Sequence, residues 1–89
     1  MTVSLTGTLT CGPQDAVTVR AALPEHIRLS RAEPGCLHFD VTETASGVFA
    51  VSEEFTDQAA FEAHQARTRA SDWWAKTGHI PRDFQVTRA

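Results

Sequence analysis

The stretch EPGCLHFDVTETASGVFAVSEEF, residues 33–55, predicts a β-hairpin around which the rest of the chain is arranged. Pro34-Gly35 ends the preceding element, because the residue before a proline disfavours the helical region and glycine adopts backbone angles that other residues avoid. Both arms alternate between apolar and polar side chains, with the apolar positions at Leu37, Phe39, Val41, Phe49, Val51 and Phe55. This period of two is typical of strands, and Ala45-Ser46-Gly47 suits the turn between them. Glu53 interrupts the apolar row of the second arm.

Length and composition indicate one small globular domain, residues 1–89. The hydrophobic content of 42% is typical of a globular protein. The formal net charge of −3 disfavours a nucleic-acid-binding surface, because phosphate binding requires a basic face. The first residues lack a signal-peptide pattern, and no stretch approaches the roughly 20 apolar residues of a membrane span. We therefore expect a cytoplasmic protein with no nucleic-acid or membrane partner, in which Cys11 and Cys36 remain thiols.

Two elements precede the hairpin. Residues 2–11 alternate between threonine or serine on one side and a mainly apolar row on the other, which predicts the first strand. Gly7 in its middle indicates either a close approach by another part of the chain or a bulge. Residues 14–32 predict a helix, which we expect to be kinked at Pro24 rather than split in two. Its apolar stripe is expected at Val17, Ala21, Leu23 or Pro24, and Ile27.

Three elements follow the hairpin. Thr56-Asp57 is a suitable N-cap for a helix over residues 57–68, which carries Ala60, Phe61 and His64 on one stripe. Ser71 can cap a short helical turn that contains Trp73 and Trp74 and ends at Gly78. Pro81 argues against a central strand at that point, and the last strand is predicted from Phe84, Val86 and Arg88.

The order strand, helix, strand, strand, helix, strand predicts an α+β fold of the ferredoxin-like, split β-α-β type with an antiparallel sheet. Helices cover one face of such a sheet and leave the other face bare. We predict that this second face carries Cys36, His38 and Ala50, so its side chains are not all of the polar type expected on a solvent-exposed face. Because a chain this short buries limited surface alone, we expect a homodimer in which two sheets face each other.

Two segments resemble the antibiotic biosynthesis monooxygenase family. SRAEPGCL, residues 30–37, is similar to a signature of these domains, and EEFTD, residues 53–57, followed by AFEAH, residues 60–64, resembles a second one, with Phe55 where tryptophan is commoner. The resemblance covers nearly the whole chain. It implies a dimeric α/β barrel and small, cofactor-independent oxygenases that act on quinols and aromatic polyketides.

The chain departs from this family pattern at two points. The family often has a second histidine five positions after the first, and Arg69 stands there. Relatives that degrade haem use an asparagine with a histidine and a tryptophan, and this chain has no asparagine, which disfavours haem degradation. Tyrosine, another common proton donor in such pockets, is also absent.

His64 is the candidate catalytic residue. It lies on the inward stripe of the second helix, beside Phe61, where an imidazole with an ordinary pKa near 6.5 could accept the proton of a phenol or quinol. The alternative is a structural histidine hydrogen-bonded to a strand. Of the other histidines, His38 is expected at the dimer interface, and His26 and His79 on the surface.

Aromatic side chains are the candidate substrate-binding residues: Phe39, Phe49, Phe61, Trp73 and Trp74. Adjacent residues on a helix lie about 100° apart, so at most one of the two tryptophans faces fully inward. A flat indole there could form a wall for an aromatic ring. Core packing or a dimer contact is the alternative for both.

One of Glu53 and Glu54 must point inward if its strand is regular. We expect a buried carboxylate there to form an ion pair with Arg31 or Arg20. The alternative is a carboxyl group that faces a pocket and serves as the base, with its pKa raised by burial.

The sequence therefore predicts a cofactor-independent monooxygenase that oxidises a quinol or another electron-rich aromatic molecule with O2 and requires no metal. A deprotonated aromatic can itself pass an electron to oxygen, so the protein need only bind it, remove its proton and exclude water. Two alternatives stay open: a non-catalytic dimer that binds a small ligand, and a proton-transfer isomerase of the same fold.

Overall fold

The computed structural model describes residues 1–89. The elements in chain order are β1 (Val3–Thr10), α1 (Pro13–Arg31), β2 (Cys36–Ala45), β3 (Val48–Phe55), α2 (Gln58–Arg69), α3 (Asp72–Thr77) and β4 (Arg82–Arg88). The four strands form one antiparallel sheet in the order β2-β3-β1-β4. This arrangement confirms the predicted ferredoxin-like α+β fold. None of the helices is long and apolar enough to cross a membrane.

The predicted hairpin is present, but its first strand begins with a β-bulge. Cys36 pairs with Phe55 and His38 pairs with Glu54, so Leu37 between them has no partner. Leu37 is consequently 54% exposed, and its predicted place beside Phe39 is wrong. Cys36 packs against the core on the helix side, so its predicted place on the bare face is wrong for the same reason.

Gly7 in β1 allows β4 to approach closely. The register of β1 is regular against both neighbours, so β1 has no bulge. A Cβ atom at Gly7 would overlap the Asp83 carbonyl oxygen and would lie 2.8 Å from the Phe84 Cα atom. Of the two sequence-based interpretations, the structure therefore selects the close approach.

Helix α1 is continuous through Pro24, as expected, but it buries a different stripe. Its buried residues are Ala16, Val19, His26 and Ser30, while Val17 is 64% exposed. Of the predicted stripe, Leu23 packs against a core cluster, whereas Val17 and Ala21 are exposed, because the prediction followed the most hydrophobic residues. The inward stripe instead carries a histidine and a serine, which contact polar and aromatic groups inside the protein.

The caps of the second and third helices are as predicted. The Asp57 side chain accepts a hydrogen bond from the Ala60 N–H at 2.8 Å, and Ser71 accepts one from the Trp74 N–H at the start of α3. Phe61, His64 and Thr68 form the buried stripe of α2. These caps determine which way His64 and Trp73 point, because they fix where each helix begins.

The core consists of two apolar clusters on the helix side of the sheet. One contains Val3, Leu5, Val51, Phe55 and Phe61. The other contains Leu9, Val19, Phe49, Trp73 and Ile80. Residues from both clusters line a cavity on this side of the sheet.

Candidate active site

The cavity has a volume of about 220 Å³ and lies between the inner face of the sheet and the helices. At its buried end are Phe39, Phe49, Glu53 and His64, each at most 7% exposed. At its open end are Gln65, Arg69, Trp74 and Arg82, which are exposed or only partly buried. The cavity therefore has an aromatic, water-excluding interior and a polar mouth, as small-molecule sites commonly do.

A carboxylate holds the imidazole of His64 in place. The His64 Nδ1 atom lies 2.6 Å from Glu33 Oε1, and Arg67 Nε donates to Glu33 Oε2 at 2.6 Å. Arg67 also donates to the Ser30 hydroxyl at 2.9 Å. A carboxylate that accepts from Arg67 is an acceptor toward His64 as well, so Nδ1 carries the hydrogen and Nε2 has the lone pair, 3.4 Å from the Thr68 hydroxyl. Burial lowers the pKa of His64 more than Glu33 raises it, so the imidazole is neutral at neutral pH and can accept a proton.

Glu53 is a buried carboxyl group without a hydrogen-bond partner. Its Oε1 atom lies 3.5 Å from His64 Nε2 and makes no hydrogen bond. Burial, together with the charge of Glu33, raises the pKa of Glu53 to about 8. At neutral pH the side chain is therefore mainly protonated, and an acid lies beside the unprotonated Nε2 atom of a base.

The expected ion pair between this buried carboxyl group and Arg31 or Arg20 is wrong. Arg20 pairs with Glu43 at 2.7 Å, and Arg31 contacts Asp40 at 3.5 Å, both near the protein surface. The alternative interpretation, a pocket-facing carboxyl group with a raised pKa, matches the geometry of Glu53.

His26 lies inside the protein and not on the surface, which corrects the sequence-based expectation. It is 6% exposed, and its ring stacks on Trp73 with centroids 4.6 Å apart and planes 4° apart. Its Nδ1 atom has no hydrogen-bond partner. Burial is the main cause that lowers the pKa of His26 to about 3, so the ring is a neutral part of the cavity wall.

Two cationic side chains reach the mouth of the cavity. Arg82 lies over the Trp74 ring, with its Cζ atom 4.9 Å from the ring centroid, and donates to the carbonyl groups of Thr77 and Ile80. Arg69, at the end of α2, is exposed and makes no side-chain hydrogen bond or salt bridge.

The structure brings most of the sequence-predicted site residues together. His64, Phe39, Phe49, Trp73 and Trp74 all line the cavity. Trp73 is the more deeply buried of the two tryptophans. Phe61 does not line the cavity, because it packs against Phe55 in the neighbouring apolar cluster. His79 is on the surface as expected, and His38 is exposed on the bare face of the sheet.

Sequence analysis missed several residues of the site, among them Glu33, His26, Arg67 and Arg82. Glu33 lies in the loop between α1 and β2, and nothing in its local pattern indicates that it reaches a helix 31 residues later. His26 follows Val19 by seven residues and precedes Ser30 by four, a spacing that places all three on one helical face. That spacing could have identified His26 as buried.

The side chains of the structure include no group of three or more His, Cys, Asp or Glu residues placed to hold a metal ion. His26 and His64 have their ring centroids 6.2 Å apart, with His26 enclosed by the rings of Trp73 and Phe39.

Comparison with known proteins identifies one family. Residues 2–76 match the family model for antibiotic biosynthesis monooxygenase. Rv0793 from Mycobacterium tuberculosis is 25% identical with a TM-score of 0.82, covering 100% of this chain and 95% of that one. A Deinococcus radiodurans protein, provisionally named an antibiotic biosynthesis monooxygenase, is 26% identical with a TM-score of 0.79, covering 100% and 92% of the two chains. No curated protein matches the chain.

Proposed function

This chain belongs to the antibiotic biosynthesis monooxygenase family, and from that premise we propose that it oxidises a quinol or another electron-rich aromatic molecule with O2, without a cofactor. The family assignment supports a monooxygenase. The aromatic interior of the cavity supports an aromatic substrate, because Phe39, Phe49 and Trp73 offer ring faces and edges to it.

The observation that carries this proposal is the placement of His64 Nε2 beside Glu53 Oε1, a buried polar atom without a hydrogen-bond partner, at the buried end of the cavity. His64 Nε2 makes only a long contact, 3.4 Å, with the Thr68 hydroxyl, and Glu53 Oε1 lies 3.5 Å from it with no partner. A phenolic oxygen about 2.8 Å from each atom would donate to His64 and accept from the protonated Glu53. Such a substrate would give Glu53 the hydrogen bond it lacks and would give His64 Nε2 a shorter bond than its 3.4 Å contact with Thr68.

The proposed reaction begins with transfer of the phenol or enol proton to His64 Nε2. The resulting imidazolium is stabilised by Glu33, which accepts from Nδ1 at 2.6 Å. The electron-rich anion then passes an electron to O2, and the two radicals combine at a substrate carbon to form a peroxide anion. This anion takes back the proton held by His64 and becomes a hydroperoxide. Loss of water leaves one oxygen atom on the substrate as a carbonyl group, and the other leaves with two substrate hydrogens, so no external reductant is needed.

We further propose that the protein is a homodimer in which the bare faces of two sheets meet. The centre of this face is Ala50, which lies between Thr8 and Thr42 on the neighbouring strands. Its side chains are mostly small, which supports close packing of a second sheet about 10 Å away. The family resemblance also implies this assembly.

The test is oxygen uptake by metal-stripped protein with a panel of hydroquinones and anthrones. The wild-type protein should consume O2 above the spontaneous rate. In His64→Ala the rate of O2 uptake should fall about 100-fold or more, because a general base typically accelerates a reaction by about 10²–10⁴-fold. Glu33→Gln should retain part of the activity, since it weakens the charge that stabilises the imidazolium while leaving Nε2 present.

His79→Ala is the matched control, because His79 is exposed and lies on Asp15 rather than in the cavity. Its activity should equal that of the wild type. Oxygen uptake that survives in His64→Ala would contradict the role of His64. The absence of uptake with every substrate would contradict the oxygenase proposal.

One observation favours a second candidate, a proton-transfer isomerase. Protonated Glu53 and neutral His64 stand 3.5 Å apart, which places a proton donor and a proton acceptor on the same substrate atom or on adjacent ones. Such an enzyme would form product without consuming O2. Product formation under strictly anaerobic conditions would select the isomerase over the oxygenase.

A further inference from the structure

The chain places two uncompensated positive charges at its cavity. It has eight Lys and Arg residues, and its formal net charge is −3. Five of these cations form salt bridges with carboxylates: Arg20, Arg28, Arg31, Arg67 and Lys76. The other three are Arg69, Arg82 and Arg88, and the first two of these line the cavity. Arg88 lies outside the cavity and donates to the neutral Gln58 side chain at 3.0 Å. An acidic protein with two cations at its cavity that no carboxylate pairs has an electrostatic site for an anion.

Arg82 is held in place by neutral groups only. Its guanidinium donates to Thr77 O and Ile80 O at 2.9 Å and to Thr77 Oγ1 at 3.0 Å, and it stacks on Trp74. These three hydrogen bonds leave two of the five N–H donors of an arginine unused. The side chain is therefore oriented, charged and incompletely satisfied, which is the usual state of an arginine that receives a carboxylate.

Arg69 differs from the other basic residue in the last turn of α2. Arg67 is bonded to Glu33 and to Ser30, so its charge is used within the protein. Arg69 makes no such contact and offers all five donors to the mouth of the cavity.

No negative charge within the cavity neutralises these arginines at neutral pH. Glu53 is the only acidic residue that lines the cavity, and its pKa of about 8 keeps it mainly protonated. His26 and His64 are neutral, because burial lowers the pKa of both. The cavity therefore carries the positive charge of Arg69 and Arg82 alone.

We propose that the substrate is an acidic aromatic molecule, whose ring lies at the buried end of the cavity and whose carboxylate binds Arg69 and Arg82 at the mouth. This inference deepens the proposed function, on which it rests for the use of this cavity as the substrate site. The two arginines act as specificity-determining residues, while His64 and Glu53 contact the reacting end of the molecule.

The test compares two redox-inert ligands that differ in charge, 2-naphthoate and 2-naphthamide, by isothermal titration calorimetry with the full chain. The wild-type protein should bind the naphthoate at least about tenfold more tightly, as expected for hydrogen bonds to a charged group. Arg69→Gln should reduce this preference about fivefold, the value of a partly exposed charge pair. Arg88→Gln, which removes a cation outside the cavity, should leave the preference unchanged.

Three results would overturn the proposal: equal affinity for the two ligands in the wild-type protein, an unchanged preference in Arg69→Gln, or no binding of naphthoate at millimolar concentration. Arg69 is exposed, so its replacement does not disturb the core. Arg82→Gln, checked for native circular dichroism, should reduce the preference as well. A preference that is unchanged in this folded variant would remove Arg82 from the site.

The result is independent of oxygen chemistry, because neither ligand is oxidised. A preference for naphthoate in a protein that consumes no O2 would support this inference and reject the oxygenase. O2 uptake by a protein that binds naphthoate and naphthamide equally well would support the oxygenase and reject this inference.

Discussion

At the scale of single residues, the protonation of Glu53 governs how stability depends on pH. A buried carboxyl group with neither an ion pair nor a hydrogen bond is costly to ionise, and its raised pKa expresses that cost. Because the folded state holds this proton more tightly than the unfolded state, the free energy of unfolding falls as the pH rises from about 4.5 to about 8. His26 acts in the opposite direction: its lowered pKa makes stability rise from about pH 3 to 6.5.

Glu53→Gln should therefore stabilise the protein at high pH. At pH 9 we expect the free energy of unfolding to increase by a few kcal/mol, since each pKa unit corresponds to about 1.4 kcal/mol. At pH 4.5 the change should be small, because the wild-type side chain is then protonated as well. The measurement is urea unfolding followed by circular dichroism at a series of pH values.

Glu54→Gln serves as the control, because Glu54 lies on the next position of β3, on the opposite face of the sheet. It should leave the slope between pH 6.5 and 8 unchanged. If Glu53→Gln shows the same decline as the wild-type protein in that interval, the raised pKa of Glu53 is refuted.

At the scale of elements, the pairing of β1 with β4 closes one side of the cavity. Arg82 and Phe84 of β4 both line the cavity, and β4 reaches its place only because Gly7 has no side chain. The shape of the proposed substrate site therefore depends on the absence of a side chain at Gly7, in the middle of β1.

Gly7→Ala should weaken this pairing. The added methyl group would overlap the Asp83 carbonyl oxygen, so β4 must shift. We expect a loss of about 2–3 kcal/mol in the free energy of unfolding, as for other overpacked sites. Gly12→Ser also adds a Cβ atom, but nothing lies within 4 Å of that position, and serine suits an N-cap. Equal effects of the two substitutions would contradict the close approach of β4.

At the scale of the whole molecule, one face of the sheet is covered by helices and the other face has no covering layer. Nearly all of the buried apolar side chains belong to the two clusters on the helix side, so the opposite face contributes little to the monomer core. A second sheet packed on this face would add the buried area that a chain of 89 residues lacks alone.

Ala50→Arg should convert the proposed dimer into a monomer. A charged side chain at the centre of the face would have to be buried without a partner, which typically costs several kcal/mol. Light scattering after size-exclusion chromatography should give twice 9.7 kDa for the wild-type protein and 9.7 kDa for the variant. Ala63→Arg, on the exposed side of α2, should retain the wild-type mass. A wild-type mass of 9.7 kDa would reject the dimer.

The sequence by itself determined the elements and their order. Alternation along β1 and the hairpin, the caps Asp57 and Ser71, and the spacing of Phe61 and His64 are local signals, because each depends on residues a few positions apart. They were sufficient to predict the antiparallel sheet and to place His64, Phe39, Phe49 and one of the two tryptophans toward one cavity, but not to say which tryptophan is the more buried.

Only the tertiary structure decided which groups surround these residues. Because of the bulge at Leu37, Cys36 faces the core. The orientation of α1 places His26 against Trp73, and the loop before β2 places Glu33 beside His64. Each of these contacts joins residues that are far apart in the chain. Judged from their sequence neighbours alone, polar side chains such as His26 and Glu33 would be assigned to the surface. Burial and pairing shift pKa values and protonation, so the chemistry of the site depends on contacts that no local pattern contains.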